Sequence, residues 1–226
     1  MWFTHLYYAL GTHPTPGPDR DRLVWGALAP DVDKVWPVSR AITHAHGLPR
    51  PVRAADLLAA LGVTLPSARG ASAFLAGWAS HVAVDTAWYR HLRRLVAARP
   101  DLAANWTDAT TRAWNLALDL EAREHVDPRV VDIEHADGDE VVPCLSGPAG
   151  RTLRTAVAVY LAWQGRIEDP APLGLAPVLE RFRSALRHEG MRVEALLSVL
   201  DRTALDDEVL QASRAAAQDV YACLGR

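Results

Sequence analysis

The chain has 226 residues, half of them hydrophobic and 23% charged, with a net charge of −3. This is the composition of an ordinary folded protein; it excludes bulk disorder, collagen-like repeats and a disulfide scaffold. The charge does not mark a nucleic-acid or acidic-membrane binder. The only cysteines, Cys144 and Cys223, are too few and too far apart for a thiolate zinc site.

The N-terminal MWFTHLYYAL lacks the basic start and small-residue cleavage site of a signal peptide. No apolar run reaches the roughly 18–20 residues that span a bilayer. A cytoplasmic protein with no transmembrane segment is expected, with Met1 retained ahead of bulky Trp2. Residues 11–21 read as a loop of Gly, Thr, Pro and Asp, and residues 26–37 place two prolines around an acidic turn. A short helix is predicted over 53–61. The strongest helix spans 71–97: it has no proline and is apolar nearly all round, as a buried central helix is. A helix over 107–125 follows, with Thr107 or Asp108 as N-cap. Residues 127–149 read as a long loop with an extended piece. Further helices are predicted near 151–166, 173–200 and 206–224, with Gly190 and the turn at Asp201 as breaks. No alternating strand pattern and no repeat occurs, so the expected class is a single all-α domain over 1–226.

The central helix carries His81 and Asp85. A spacing of four puts both on one helical face, where imidazole and carboxylate can chelate a divalent cation. Taken alone, the pair reads first as a buried His–Asp hydrogen bond. His91 lies six residues beyond Asp85 and so points about 120° away from it. Upstream stand His5, Asp31 and Asp33 in the Pro-Asp turn, and His44 and His46 in Thr-His-Ala-His-Gly. Each has a bland reading: Asp31 as a helix cap, His44 or His46 as a solvated loop residue. Together they form an ordered series of metal-compatible ligands. Arg90, Arg93 and Arg94 end the helix, where they either favour its dipole or meet a phosphate. Five tryptophans (Trp2, Trp25, Trp36, Trp78 and Trp88) cluster near the series and are read as core packing before a cleft wall. There is no HExxH, no adjacent His-Asp doublet, no GxxxxGK[ST] or GxGxxG, and no GxSxG.

Thr4-His5, Gly26-Ala-Leu-Ala-Pro-Asp31, Thr43-His44 and Gly77-Trp-Ala-Ser-His81-Val-Ala-Val-Asp85 ending in Trp88-Tyr-Arg-His91 carry a family resemblance. Residues 1 to about 125 resemble the zinc-dependent phospholipase C and S1/P1 nuclease superfamily, and more closely its bacterial cytosolic phospholipase C-like branch. The resemblance implies an all-α fold with up to three zinc ions at the bottom of a cleft. It implies hydrolysis of a phosphate ester by a metal-activated hydroxide. One zinc would take Asp31, His44 or His46, His81 and Asp85. Asp85 would bridge to a second that takes His5, and a third would take His91.

The sequence departs from the family twice. The secreted members' N-terminal tryptophan chelate is lost behind Met1. The His-x-x-x-acid pair beside His91 aligns with Asn115 and Asp119, or with Thr111 and Asn115, and so loses one or both ligands. One or two zinc ions are therefore expected. Asp31 or Asp33 is the expected proton acceptor. The substrate is expected to be a small phosphate ester or lipid headgroup, and not long nucleic acid. Two other readings stay open: a repurposed hydrolase, lyase or cyclase acting on a small metabolite, and a non-catalytic metal-stabilised binding protein.

Overall fold

The computed structural model describes residues 2–13, 15–103, 106–162 and 176–225. In chain order it contains α1 (Trp2–Thr12), α2 (Pro18–Leu28), α3 (Arg40–Thr43), α4 (Ala54–Ala60), α5 (Leu65–Gly70), α6 (Ser72–Ala97), α7 (Pro100–Ala103), α8 (Asp108–Glu124), α9 (Pro148–Ala162), α10 (Ala176–Leu197) and α11 (Arg202–Leu224). A 3-10 turn over Ala29–Lys34 continues α2. No strand occurs among the described residues, and the all-α class holds. No helix there is long and apolar enough to cross a membrane.

Several boundaries follow from local chemistry. Thr107, not Asp108, caps α8: its side chain accepts from the Thr110 amide, and Thr110 returns the contact to the Thr107 amide. The Asp201 side chain caps α11 by accepting from the Ala204 amide. Gly190 does not break α10, since one interior glycine costs only about 1 kcal/mol and the helix runs on through it. The 127–149 segment holds no extended strand. It is punctuated by 3-10 turns at Pro128–Val130, Asp139–Val141 and Pro143–Leu145. Residues 163–166 and 173–175, expected as helix ends, lie outside the described residues.

Helix α6 is the axis of the fold and passes through two hydrophobic clusters. Its first half packs Phe74, Leu75, Trp78 and Val82 with Trp2, Phe3, Leu23 and Trp25. Its second half packs Val84, Ala87, Trp88 and Leu92 with Trp114 of α8, Val193 and Leu196 of α10, and Leu205 and Val209 of α11. His81 and Asp85 fall at the handover between the clusters. Of the five tryptophans near the series, Trp2, Trp25, Trp78 and Trp88 are buried, as packing requires, and Trp36 is substantially exposed.

Where α2 crosses α6 the two main chains touch. A Cβ on Gly26 would lie 1.8 Å from the Phe74 carbonyl oxygen, and one on Gly77 would lie 1.9 Å from the Leu23 carbonyl oxygen. No other residue fits at either place. This close crossing brings the turn after α2, with Asp31, against α6 one turn beyond Gly77, where His81 stands.

Candidate metal centre

Five side chains converge at this crossing: His5 from α1, Asp31 from the 3-10 turn, His44 just after α3, and His81 and Asp85 from α6. His5, Asp31, His44 and His81 are buried, and Asp85 is partly open. His81 Nδ1 lies 2.7 Å from the Ala27 carbonyl oxygen. A carbonyl only accepts, so Nδ1 carries the hydrogen and Nε2 presents a lone pair to the interior. The Nε2 atoms of His44 and His81 approach to 3.1 Å, which requires a shared proton or a cation between them. His44 Nε2 is 3.5 Å from Asp31 Oδ1 and 3.8 Å from Asp85 Oδ2. His81 Nε2 is 3.8 Å from that same Asp85 oxygen, and His5 Nε2 is 3.5 Å from Asp85 Oδ1. A tetrahedral zinc with bonds of about 2.0–2.1 Å sets its ligand atoms about 3.3–3.4 Å apart, close to these separations.

The electrostatics suit the same use. Burial pushes the His5 imidazole below its usual value and the His81 imidazole well below it, so both stay neutral with a lone pair to give. Burial alone would raise the Asp31 carboxyl. Lys34, with His44 and His81, outweighs it and holds Asp31 well below the ordinary carboxylate range. Burial is likewise outweighed at Asp85 by the His5 hydrogen bond and by His81. Neutral imidazoles beside ionised carboxylates are the protonation states that bind a divalent cation.

The atoms form two overlapping groups, Asp31–His44–His81 and His5–His81–Asp85. They share His81, whose Nδ1 is held by Ala27, so its Nε2 can serve one ion only. The residues fit one well-furnished site (Asp31, His44, His81 and one Asp85 oxygen). A second position has only His5 and the other Asp85 oxygen, which leaves it open to solvent and ligand.

Of His44 and His46, only His44 is brought to the cluster. Ala45 sits at φ 50°, a left-handed conformation costing about 1–3 kcal/mol for a residue with a Cβ. The bend turns His44 inward and leaves His46 exposed. Thr43, fixed by the Trp78 indole donating to its carbonyl oxygen at 2.8 Å, contacts His44 Nδ1 through its hydroxyl at 2.8 Å.

Three other expected ligands are not brought into either group. His91 faces Glu208 of α11 at 3.3 Å, about two turns along α6 from Asp85. Asn115 accepts from the Trp88 indole and donates to the Tyr89 hydroxyl, so it lines the cavity as a hydrogen-bonding residue. Asp119 is fully buried and accepts from the Thr4 amide at 2.8 Å and the Tyr160 hydroxyl at 2.6 Å. These bonds satisfy it without a metal.

A cavity of about 500 Å³ opens over the cluster. Thr4, His5, Asp31, Asp33 and Asp85 form one wall; Thr111, Arg112 and Asn115 of α8 and Arg181 of α10 form another. Lys34 pairs with Asp31, and Arg40 reaches Asp33 at 3.2 Å and Asp85 at 3.6 Å. The sequence reading passed over both cations. The i,i+3 spacing of Asp31 and Lys34 signals the first, whereas nothing local signals Arg40, which comes from the next element. No protein-family model, curated protein or solved structure matches this chain.

Proposed function

We propose that this chain is a cytoplasmic zinc-dependent hydrolase of a small phosphate ester, with one tightly held ion and a weaker second. The observation that carries this reading is the convergence of three histidines and two carboxylates, of which His5, Asp31 and Asp85 line a cavity that also holds Lys34, Arg40, Arg112 and Arg181. The order of those residues along the chain matches that of the zinc-dependent phospholipase C and nuclease superfamily, which adds support.

Asp31, His44, His81 and Asp85 would hold the first ion, and His5 and Asp85 the second. Bound there, zinc supplies a Lewis acid for phosphoryl oxygens and lowers the pKa of water. The chain does the rest. Lys34 and Arg40 balance the carboxylates, and Arg112 and Arg181 face the developing phosphate charge from the far wall. Asp33, whose Oδ2 pairs with Arg40, is the carboxylate beside the cluster best placed for proton transfer. It lines the cavity and its Oδ1 makes no hydrogen bond among the described residues, whereas Asp31 is committed to Lys34 and His44.

A second reading, a Lewis-acid enzyme of small-metabolite chemistry, is favoured by one observation. Asp119 and His91, expected at a third ion, are engaged elsewhere.

The test is elemental analysis of untagged protein purified without chelators, followed by hydrolysis of bis(p-nitrophenyl) phosphate. One or two zinc ions with hydrolysis lost in His81→Ala supports the first reading. Full zinc without hydrolysis supports the second. A chain that takes up no zinc overturns both.

A further inference from the structure

A second cavity, of about 640 Å³, lies on the other side of Arg40 and shares Arg40, Asp85 and Tyr89 with the first. The two differ in charge. The first is balanced, with Asp31, Asp33, Asp85 and Asp108 against Lys34, Arg40, Arg112 and Arg181. The second sets four arginines (Arg40, Arg50, Arg90 and Arg93) against one carboxylate, Asp85, which already faces the histidine cluster.

Arg40 is paired with Asp33 and Asp85, but Arg50 and Arg93 have no acidic partner among the described residues. Arg50 donates to the carbonyl oxygens of His44 and Ala45 at 3.0 and 3.3 Å and forms no ion pair among the described residues. The bonds fix the guanidinium beside the cluster without neutralising it. Arg90 reaches only Glu208, at 3.8 Å, and shares it with Arg94 and His91. Asp85, Tyr89 and Arg93 recur at four-residue steps along α6, so they lie on one face. Arg90 and Arg93 stand about 7.5 and 12 Å beyond Asp85 along the helix axis. Arginine side chains lean back toward the helix N-terminus, that is, toward the cluster.

We propose that this cavity is a second anion subsite, and that the substrate is a phosphate ester with a second anionic group such as another phosphate. The reacting phosphoryl group lies at the histidine–aspartate cluster, and the second group lies among Arg50, Arg90 and Arg93. This rests on the phosphate-ester reading above and narrows it: a choline-like cationic headgroup is disfavoured.

The test is calorimetric binding of matched probes to the zinc-loaded chain, with zinc measured on the same samples. The probes are propyl phosphate, phosphocholine and α,ω-alkanediol bisphosphates of two to six carbons. The expected result is a bisphosphate bound at least about tenfold tighter than propyl phosphate, with phosphocholine weakest. In the Arg50→Ala/Arg93→Ala double variant the preference falls to within about threefold while zinc content is unchanged. The Arg50→Lys/Arg93→Lys variant recovers part of it, because a point charge replaces the bidentate fork. Equal binding of all probes, or a preference that survives the double alanine variant, overturns the subsite. A wild type that takes up no zinc yet prefers bisphosphates through Arg50 and Arg93 overturns the hydrolase reading and keeps the subsite.

Discussion

The Thr4 amide donates to Asp119 at 2.8 Å, so a carboxylate on α8 closes the first turn of the helix that carries His5. Thr4 has no acceptor within its own helix, as at any helix start, and Asp119 reaches it from 115 residues away. The side chain read from sequence as a ligand instead positions His5, the residue next to Thr4.

Asp119→Ala should therefore destabilise the chain by about 2–3 kcal/mol, from a lost cap and an orphaned Tyr160 hydroxyl. Urea denaturation followed by tryptophan fluorescence measures this. Zinc titration of the folded variant should show the tight ion retained and the weaker one, on His5, loosened. Loss of the tight ion alone would contradict the assignment.

The crossing of α2 and α6 makes a harsher prediction. In Gly77→Ala the new Cβ meets the Leu23 carbonyl oxygen, which is backbone and can yield only if the helices separate. A loss of about 3 kcal/mol or more is expected, together with weaker zinc binding, because Asp31 and His81 are carried on the separated elements. Gly70, which has open space around it, is the control: Gly70→Ala should be neutral or slightly stabilising, and melting temperatures of the two variants decide.

The inward and outward histidines can be told apart directly. His44→Ala should lower the affinity for the tight zinc at least about a hundredfold, whereas His46→Ala should change it less than about threefold. Competition with a zinc indicator measures both. Equal losses would mean that the bend at Ala45 does not select between them.

Glu208 gives a pH signature remote from the cluster. Burial would raise its carboxyl, but hydrogen bonds from His91 and Arg94 hold it below its ordinary value of 4.5. The folded chain therefore binds this proton less readily than the unfolded one. The stabilisation is complete above the unfolded value and disappears as pH falls through the folded one. Glu208→Gln should cost about 0.5–1 kcal/mol at pH 7, and the gap from wild type should close between roughly pH 5 and 3. A gap independent of pH would assign the cost to packing.

What the sequence shows of this protein divides by range. The ends of α6 and α8, the capping at Thr107 and the shared face of His81 and Asp85 depend on residues a few positions apart, and local periodicity contains them. Helix α1 was missed, because residues 2–10 are apolar with little polar contrast and its cap comes from α8. The loop read over 11–21 shrinks at both ends, because α1 runs on to Thr12 and Pro18 starts α2 at a position where proline is tolerated. Local spacing likewise left His44 and His46 equivalent, since one positive φ at buried Ala45 separates them. The roles of Asp119 and His91 were set by Tyr160 and Glu208, each far along the chain.

The two hydrophobic clusters that meet along α6 also bear on how such a protein can change over generations. His5, Asp31, His44 and His81 of the candidate centre hang from elements that pack into the first cluster, while the facing cavity residues on α8 and α10 belong to elements of the second. Substitutions on α8 and α10 can accumulate without moving His81 or Asp31. A lineage built this way can reshape the cavity's far wall while inheriting the His–Asp cluster intact.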